Sequence, residues 1–213
     1  MTLPTPLYVV LDRGAAGGRD LGPLLDAVLE GGCRLVQLRD KTTPLNDLYP
    51  AARALQRRCR EAGCLFIVND RVDLALALGA DGVHVGQDDL PARDARRLLR
   101  PGMILGVSTH DENQARRARD DGADYVAVGS MFPTGSKPGF RLVGPDLLRR
   151  VRPEIRVPLV AIGGITLDNV AEVIRAGADA VAVISAVCAA PDPAAATRRF
   201  LETIRAARES HAR

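Results

Sequence analysis

The feature that most constrains the fold of this chain is a short repeated phrase: a Gly, a small residue, an Asp, then an apolar run. It reads Gly79-Ala80-Asp81-Gly82-Val83, Gly122-Ala123-Asp124-Tyr125-Val126 and Gly177-Ala178-Asp179-Ala180-Val181, with a looser copy at Gly32-Cys33-Arg34-Leu35-Val36. Gly accepts the left-handed geometry that ends a helix. The residues after it turn the chain, and the apolar run is a buried strand.

Eight such runs follow: Leu7 to Leu11, Leu35 to Leu38, Leu65 to Val68, Gly82 to Val85, Ile104 to Val107, Tyr125 to Val128, Leu159 to Ile162 and Ala180 to Ile184. They are nearly continuous in Val, Ile, Leu and Ala, as expected of strands covered on both faces. Amphipathic segments such as Leu45 to Ala62 and Ala115 to Asp121 lie between them. Aromatic residues make up only 3% of the chain and Trp is absent, so the core must be built from small aliphatic side chains packed between helices and sheet. Eight βα units in 213 residues predict an α/β fold, a TIM (β/α)8 barrel. Periodicity does not distinguish closure from an open edge, so a doubly wound open sheet is the alternative. The expected organisation is one domain over residues 1–213, with strands from about 7 to 187, then a C-terminal helix and a frayed tail.

The formal charge is only +3, and the Arg residues are spread through helical segments, with Arg57-Arg58 and Arg96-Arg97 reading as solvated helix faces. Neither a nucleic-acid partner nor a membrane is expected. Cys33, Cys59, Cys64 and Cys188 lack zinc-ligand spacing and read as reduced core thiols of a cytoplasmic protein. The first residues run almost directly into a strand and do not resemble a signal peptide, so no secretory signal is expected. The sequence leaves room for a homo-oligomer.

In a TIM barrel, function sits in the loops after the strands. The second apolar run leads into Gln37-Leu38-Arg39-Asp40-Lys41, the third into Asn69-Asp70-Arg71, the fourth into Gly86-Gln87-Asp88-Asp89 and the fifth into Ser108-Thr109-His110. The sixth opens a long loop, Gly129 to Gly139, that contains Thr134-Gly135-Ser136-Lys137. The seventh leads into Gly163-Gly164-Ile165-Thr166 and the eighth into Ser185. Polar groups therefore gather at one mouth. Arg39, Lys41 and Lys137 are cations beside the carboxylates of Asp70 and Asp89. That combination suits Mg²⁺ bridging to a polyphosphate, because Mg²⁺ is usually held by one or two carboxylates plus phosphate oxygens and water. Taken singly, an Asp at a strand end caps the next helix about as often as it binds metal. A second anion site is expected at Gly163-Gly164 and Ser185, where backbone N–H groups meet no Cβ and a helix start adds its positive end. A plain tight turn is the alternative there. His110 reads as an acid–base candidate or a wall residue, and His84 as structural or cavity-lining.

Together these motifs, in this order from Leu7 almost to the end of the chain, resemble the thiamine-phosphate synthase family. The run Gly82-Val83-His84-Val85-Gly86-Gln87-Asp88-Asp89-Leu90, Gly106-Val107-Ser108-Thr109-His110 and Ala161-Ile162-Gly163-Gly164-Ile165 contribute to the match. The resemblance implies a transferase. It joins 4-amino-2-methyl-5-pyrimidinylmethyl diphosphate to 4-methyl-5-(2-phosphooxyethyl)thiazole, giving thiamine phosphate and pyrophosphate. By that resemblance Gln37, Arg39, Lys41, Asn69, Ser108 and Lys137 hold the pyrimidine diphosphate, with Lys137, Ser108 and Arg39 catalytic. Asp70 and Asp89 bind Mg²⁺. Thr134, Ser136, Gly164, Ile184 and Ser185 hold the thiazole phosphate.

The chain departs from the family in one loop. Ser136 stands where the family often has Thr, and Gly139 where it often has an acidic residue. A similar loop occurs in the related thiazole tautomerase, which makes no C–N bond and would use His110 for proton transfer. That relative generally lacks the second carboxylate, which Asp89 supplies here. The mouth also leaves open a non-catalytic phosphate-binding barrel. A phosphosugar isomerase, which needs only one phosphate site, fits it less well.

Overall fold

The Asp of each repeated phrase ties the foot of one strand to the foot of the strand before it. Asp81 accepts from the Phe66 N–H at 2.8 Å, Asp124 from Leu105 at 2.8 Å and Asp179 from Leu159 at 2.8 Å. The backbone N–H of each Asp donates to the carbonyl of the same partner residue, so each junction is closed twice. Gly79, Gly122 and Gly177 have φ of 62°, 88° and 107°, the left-handed geometry that the phrase requires. In the looser copy Arg34 takes the place of Asp and turns its guanidinium to the carbonyls of Leu29 and Cys33.

The computed structural model describes residues 2–135 and 141–211. In chain order the elements are β1 (Leu7–Asp12), α1 (Leu21–Glu30), β2 (Leu35–Arg39), α2 (Leu45–Glu61), β3 (Leu65–Asn69), α3 (Val72–Leu78), β4 (Gly82–Val85) and α4 (Ala92–Leu98). There follow β5 (Ile104–Thr109), α5 (Glu112–Asp120), β6 (Tyr125–Gly129), α6 (Pro145–Val151), β7 (Leu159–Ile162), α7 (Val170–Arg175), β8 (Ala180–Val183), α8 (Ser185–Cys188) and α9 (Pro193–His211). All strands are parallel, and β1 pairs with both β2 and β8, so the sheet closes into the expected TIM barrel and the open-sheet alternative is excluded. Strands β1, β2, β3, β5 and β6 run one or two residues past the apolar stretches that mark them in sequence, into Asp12, Arg39, Asn69, Thr109 and Gly129. Backbone pairing continues there because the inward side chains at the mouth need not be apolar.

Side chains alternate across each strand. Val9, Leu11, Val36, Leu38, Phe66 and Val68 face the helices and join one large core, each contributing about 1.5–3 kcal/mol by burial. The alternate set, including Tyr8, Leu35, Ile67, Ile104, Tyr125 and Val160, fills the barrel interior. Two residues further along the same inward faces stand Gln37 above Leu35 and Asn69 above Ile67. The interior thus turns from apolar to polar toward the C-terminal ends of the strands.

All four cysteines are buried and unbridged. Burial pushes the Cys33 thiol up to about 12 and the Cys188 thiol up to about 11. Arg96 is not a solvated helix charge: it is half-buried beneath the barrel, bonded to Asp124 at 2.9 Å and to the Met103 carbonyl at 2.8 Å.

Candidate functional site

A cavity of about 430 Å³ opens at the C-terminal mouth, a size suited to small-molecule ligands. It is lined by Gln37, Arg39, Lys41, Asn69, Asp70, Asp89, Ser108, Thr134, Gly164, Ile184 and Ser185, every sequence-derived site residue among those described. Ser136, Lys137 and Gly139 lie outside the described residues.

On one side β2, β3 and β4 bring cations and carboxylates together. Lys41 forms an ion pair with Asp70, and Arg39 forms one with Asp12 at the end of β1. The Asp70 and Asp89 carboxyls lie close to each other in the cavity wall. Burial pushes the Asp70 carboxyl above its ordinary range; Lys41 pulls the other way, and Asp89 adds to the rise. Asp70 is the non-glycine residue with positive φ (58°) among the described residues, a backbone strain that tends to collect at functional sites. Asp89 accepts from the Gly86 N–H at 2.7 Å, which folds the β4 loop back on itself. Gln87 reaches across to the Ser108 carbonyl at 2.7 Å and fixes that loop against β5.

Asp40 sits within the same motif but serves the loop. It accepts from the N–H groups of Thr42 (3.0 Å) and Thr43 (2.9 Å), from the Thr43 hydroxyl (2.7 Å) and from Arg13 (2.5 Å). Burial opposes its charge, but these donors win and hold the carboxyl down at about 2.

On the other side lie the β7 and β8 ends. Gly163 and Gly164 have φ of 99° and 64°. A Cβ on Gly163 would fall 2.5 Å from Ser130 Cβ, and one on Gly164 would strike the carbonyls of Phe132 and Pro133. Close approach of the β6 loop therefore requires both glycines. Ser185 opens the short extra helix α8, directly after β8. His110 lines the cavity and donates from Nδ1 to the Gly129 carbonyl at 2.6 Å.

The sequence reading missed Asp12, which is buried and anchors Arg39. The strand-end rule applied to the first apolar run would have found it. It also missed Tyr8 and Tyr125, which read as ordinary strand residues.

Among the described residues no group of three or more His, Cys, Asp or Glu side chains could encage a metal. Two adjacent carboxylates at a substrate cavity do fit Mg²⁺, which takes one or two carboxylates and completes its octahedron with phosphate oxygens and water. Among the described residues no helix is long and apolar enough to cross a membrane.

A closed parallel barrel with its polar side chains gathered at the C-terminal mouth defines the class: a TIM-barrel enzyme. A family model described as thiamine monophosphate synthase matches residues 7–187. A thiamine-phosphate synthase of a Roseiflexus species is 51% identical over 208 residues, covering 97% of this chain and 88% of that protein. Its counterpart in Moorella thermoacetica is 51% identical over 203 residues, covering 95% and 97%. The solved thiamine phosphate pyrophosphorylase of Pyrococcus furiosus superposes with a TM-score of 0.87 at 38% identity, covering 94% of this chain and 96% of that one. The chain belongs to the thiamine monophosphate synthase family, and its activity is that of a thiamine-phosphate synthase, a transferase of thiamine biosynthesis.

Proposed function

We propose that the two sides of the cavity divide the two substrates. The pyrimidine diphosphate lies over β2–β5, held by Gln37, Arg39, Lys41, Asn69 and Ser108, with Lys137 from the β6 loop. The thiazole phosphate lies over β7 and β8, held by Thr134, Ser136, Gly164, Ile184 and Ser185. The start of a short extra helix after the last strands is a frequent phosphate site in TIM barrels, and α8 occupies that place. Asp70 and Asp89 would hold Mg²⁺. The observation that carries this reading is the contact between these two carboxylates, flanked by Lys41 on the same rim.

A bound Mg²⁺ would supply positive charge against the diphosphate and favour its departure. Arg39 and Lys41 neutralise the remaining phosphate charge, and Asp12 fixes the direction of Arg39. The bond between the pyrimidine methylene carbon and the diphosphate breaks first, and the aminopyrimidine ring delocalises the cation left behind. The thiazole nitrogen then donates its lone pair to form the C–N bond. That nitrogen carries no proton, so a general base is not needed. Holding the two substrates in line accounts for much of the rate.

The test follows thiamine phosphate and pyrophosphate formation with Mg²⁺ and with EDTA, for the native chain and Asp89→Ala. Product that requires the metal and falls at least about a hundredfold in the variant supports the site, since several kcal/mol of charge stabilisation are lost. Full activity in EDTA, or in a folded Asp89→Ala protein, would remove the carboxylate pair from the mechanism.

A further inference from the structure

A continuous chain of side-chain hydrogen bonds crosses the barrel interior beneath the cavity. Gln37 Nε2 donates to the Tyr8 hydroxyl at 2.7 Å, and the hydroxyls of Tyr8 and Tyr125 lie 2.9 Å apart. Tyr125 meets His84 Nδ1 at 2.9 Å, and His84 Nε2 meets Ser108 Oγ at 2.8 Å. Five strands contribute one residue each. The aromatic members are packed into place: the Tyr8 and Tyr125 rings meet edge-on at 5.9 Å, and His84 stacks on Tyr125 at 5.5 Å. Gly106 makes room for them, because a Cβ there would fall on the Tyr125 ring and on His84 Nδ1. Tyr8 and Tyr125 are almost fully buried, and burial pushes both phenols well above their ordinary value of 10.0, so they keep their protons.

Each hydroxyl carries one proton, which fixes the direction of the chain. Gln37 donates into Tyr8, so the Tyr8 proton goes on to Tyr125 and the Tyr125 proton to His84 Nδ1. The imidazole N–H then lies at Nε2 and donates to Ser108. With its amide nitrogen committed, Gln37 offers the cavity its carbonyl oxygen, an acceptor. Ser108, already accepting from His84, offers the cavity its proton.

We propose that Tyr8, Tyr125 and His84 are positioning residues that set ring specificity: their one-way chain holds Gln37 as an acceptor and Ser108 as a donor. The cavity thereby selects a heteroaromatic ring that donates from an exocyclic amine and accepts at a ring nitrogen. This rests on the assignment of the β2–β5 side to the aminopyrimidine diphosphate. Breaking the chain frees the Gln37 carboxamide to turn over and present its NH₂, which suits a ring bearing a carbonyl at that place instead.

The test compares kcat/KM for the aminopyrimidine diphosphate with that for the analogue carrying a carbonyl in place of the amine, in the native chain, Tyr125→Phe, Tyr8→Phe and the double variant. The ratio of the two is expected to shrink about tenfold or more in either single variant, while KM for the thiazole phosphate holds. The double variant should do no worse than the poorer single, because a chain is broken only once. A purely structural role would lower the melting temperature and both kcat/KM values together; an unchanged ratio in the folded variants overturns the proposal. If Tyr125→Phe does not fold, Tyr8→Phe decides alone, since it frees Gln37 and leaves the Tyr125–His84–Ser108 part intact. A native chain that turns over the aminopyrimidine diphosphate with no preference over the analogue also overturns the proposal. A native chain inactive on the aminopyrimidine diphosphate would instead defeat the substrate assignment beneath it.

Discussion

The two rims of the barrel use the same side chain for opposite ends. At the lower rim Asp81, Asp124 and Asp179 each accept a backbone N–H from the first or second residue of a neighbouring strand, and Arg96 and Arg152 balance two of them. At the upper rim Asp70 and Asp89 lie against each other, with burial and like charge both acting against ionisation of Asp70. The lower carboxylates close strand junctions, whereas the upper two lie in the cavity wall, with Lys41 on Asp70 and the Gly86 N–H on Asp89. Asp40 marks the boundary: it belongs to the upper rim by position and to the lower by its complete set of donors.

The sharpest break in this comparison comes from Asp70→Asn. Asn tolerates the left-handed backbone at this position, so the loop keeps its shape. Activity should fall about a hundredfold, equivalent to about 3 kcal/mol at the transition state. The melting temperature should hold or rise, because the substitution removes a buried charge and its like-charge contact, which together outweigh the lost Lys41 pair. Steady-state kinetics and thermal unfolding on the same preparation check both halves.

Asp124→Ala should show the reverse. It leaves the Leu105 N–H without its side-chain acceptor and the half-buried Arg96 with the Met103 carbonyl but no carboxylate, a loss of about 1–3 kcal/mol. For a chain of this size that is a drop of about 2–4 °C per kcal/mol in melting temperature, with kcat within a factor of about two of the native value. A large loss of kcat in a protein of unchanged stability would erase the division between the rims.

The smallest effect lies in acid. Asp40 is lowered from the ordinary 3.8 to about 2, so the folded state favours its ionised form. Its contribution to stability is fully present above about pH 4 and is lost as pH falls through about 2. Denaturation midpoints of the native chain and Asp40→Asn, followed from about pH 6 downward, should differ at the top of that range and converge at the bottom. Parallel curves would mean that the donors around Asp40 do not stabilise its charge.

The repeated phrases made the barrel legible, because helix end, turn and strand start are encoded within five consecutive residues. The strand ends exposed the mouth for the same reason: polar residues follow apolar runs directly. What sequence could not reveal was pairing across the barrel. Tyr8 and Tyr125 are separated by 117 positions, and nothing local distinguishes their hydroxyls from those of any strand tyrosine. The Gly163-Gly164 pair was legible as a special turn, but not for its full reason, since the nearby Ser130 and Phe132 carbonyl come from another strand's loop.

The buried thiols give the molecule a built-in set of opening reporters. Alkylation needs an exposed thiolate, which burial denies in the closed barrel. Cys33 precedes β2 and Cys64 precedes β3, while Cys188 bonds to the Val10 carbonyl where the last βα unit meets the first. The order in which mass spectrometry finds them labelled therefore tells whether the barrel unzips at its closing seam or between its early strands.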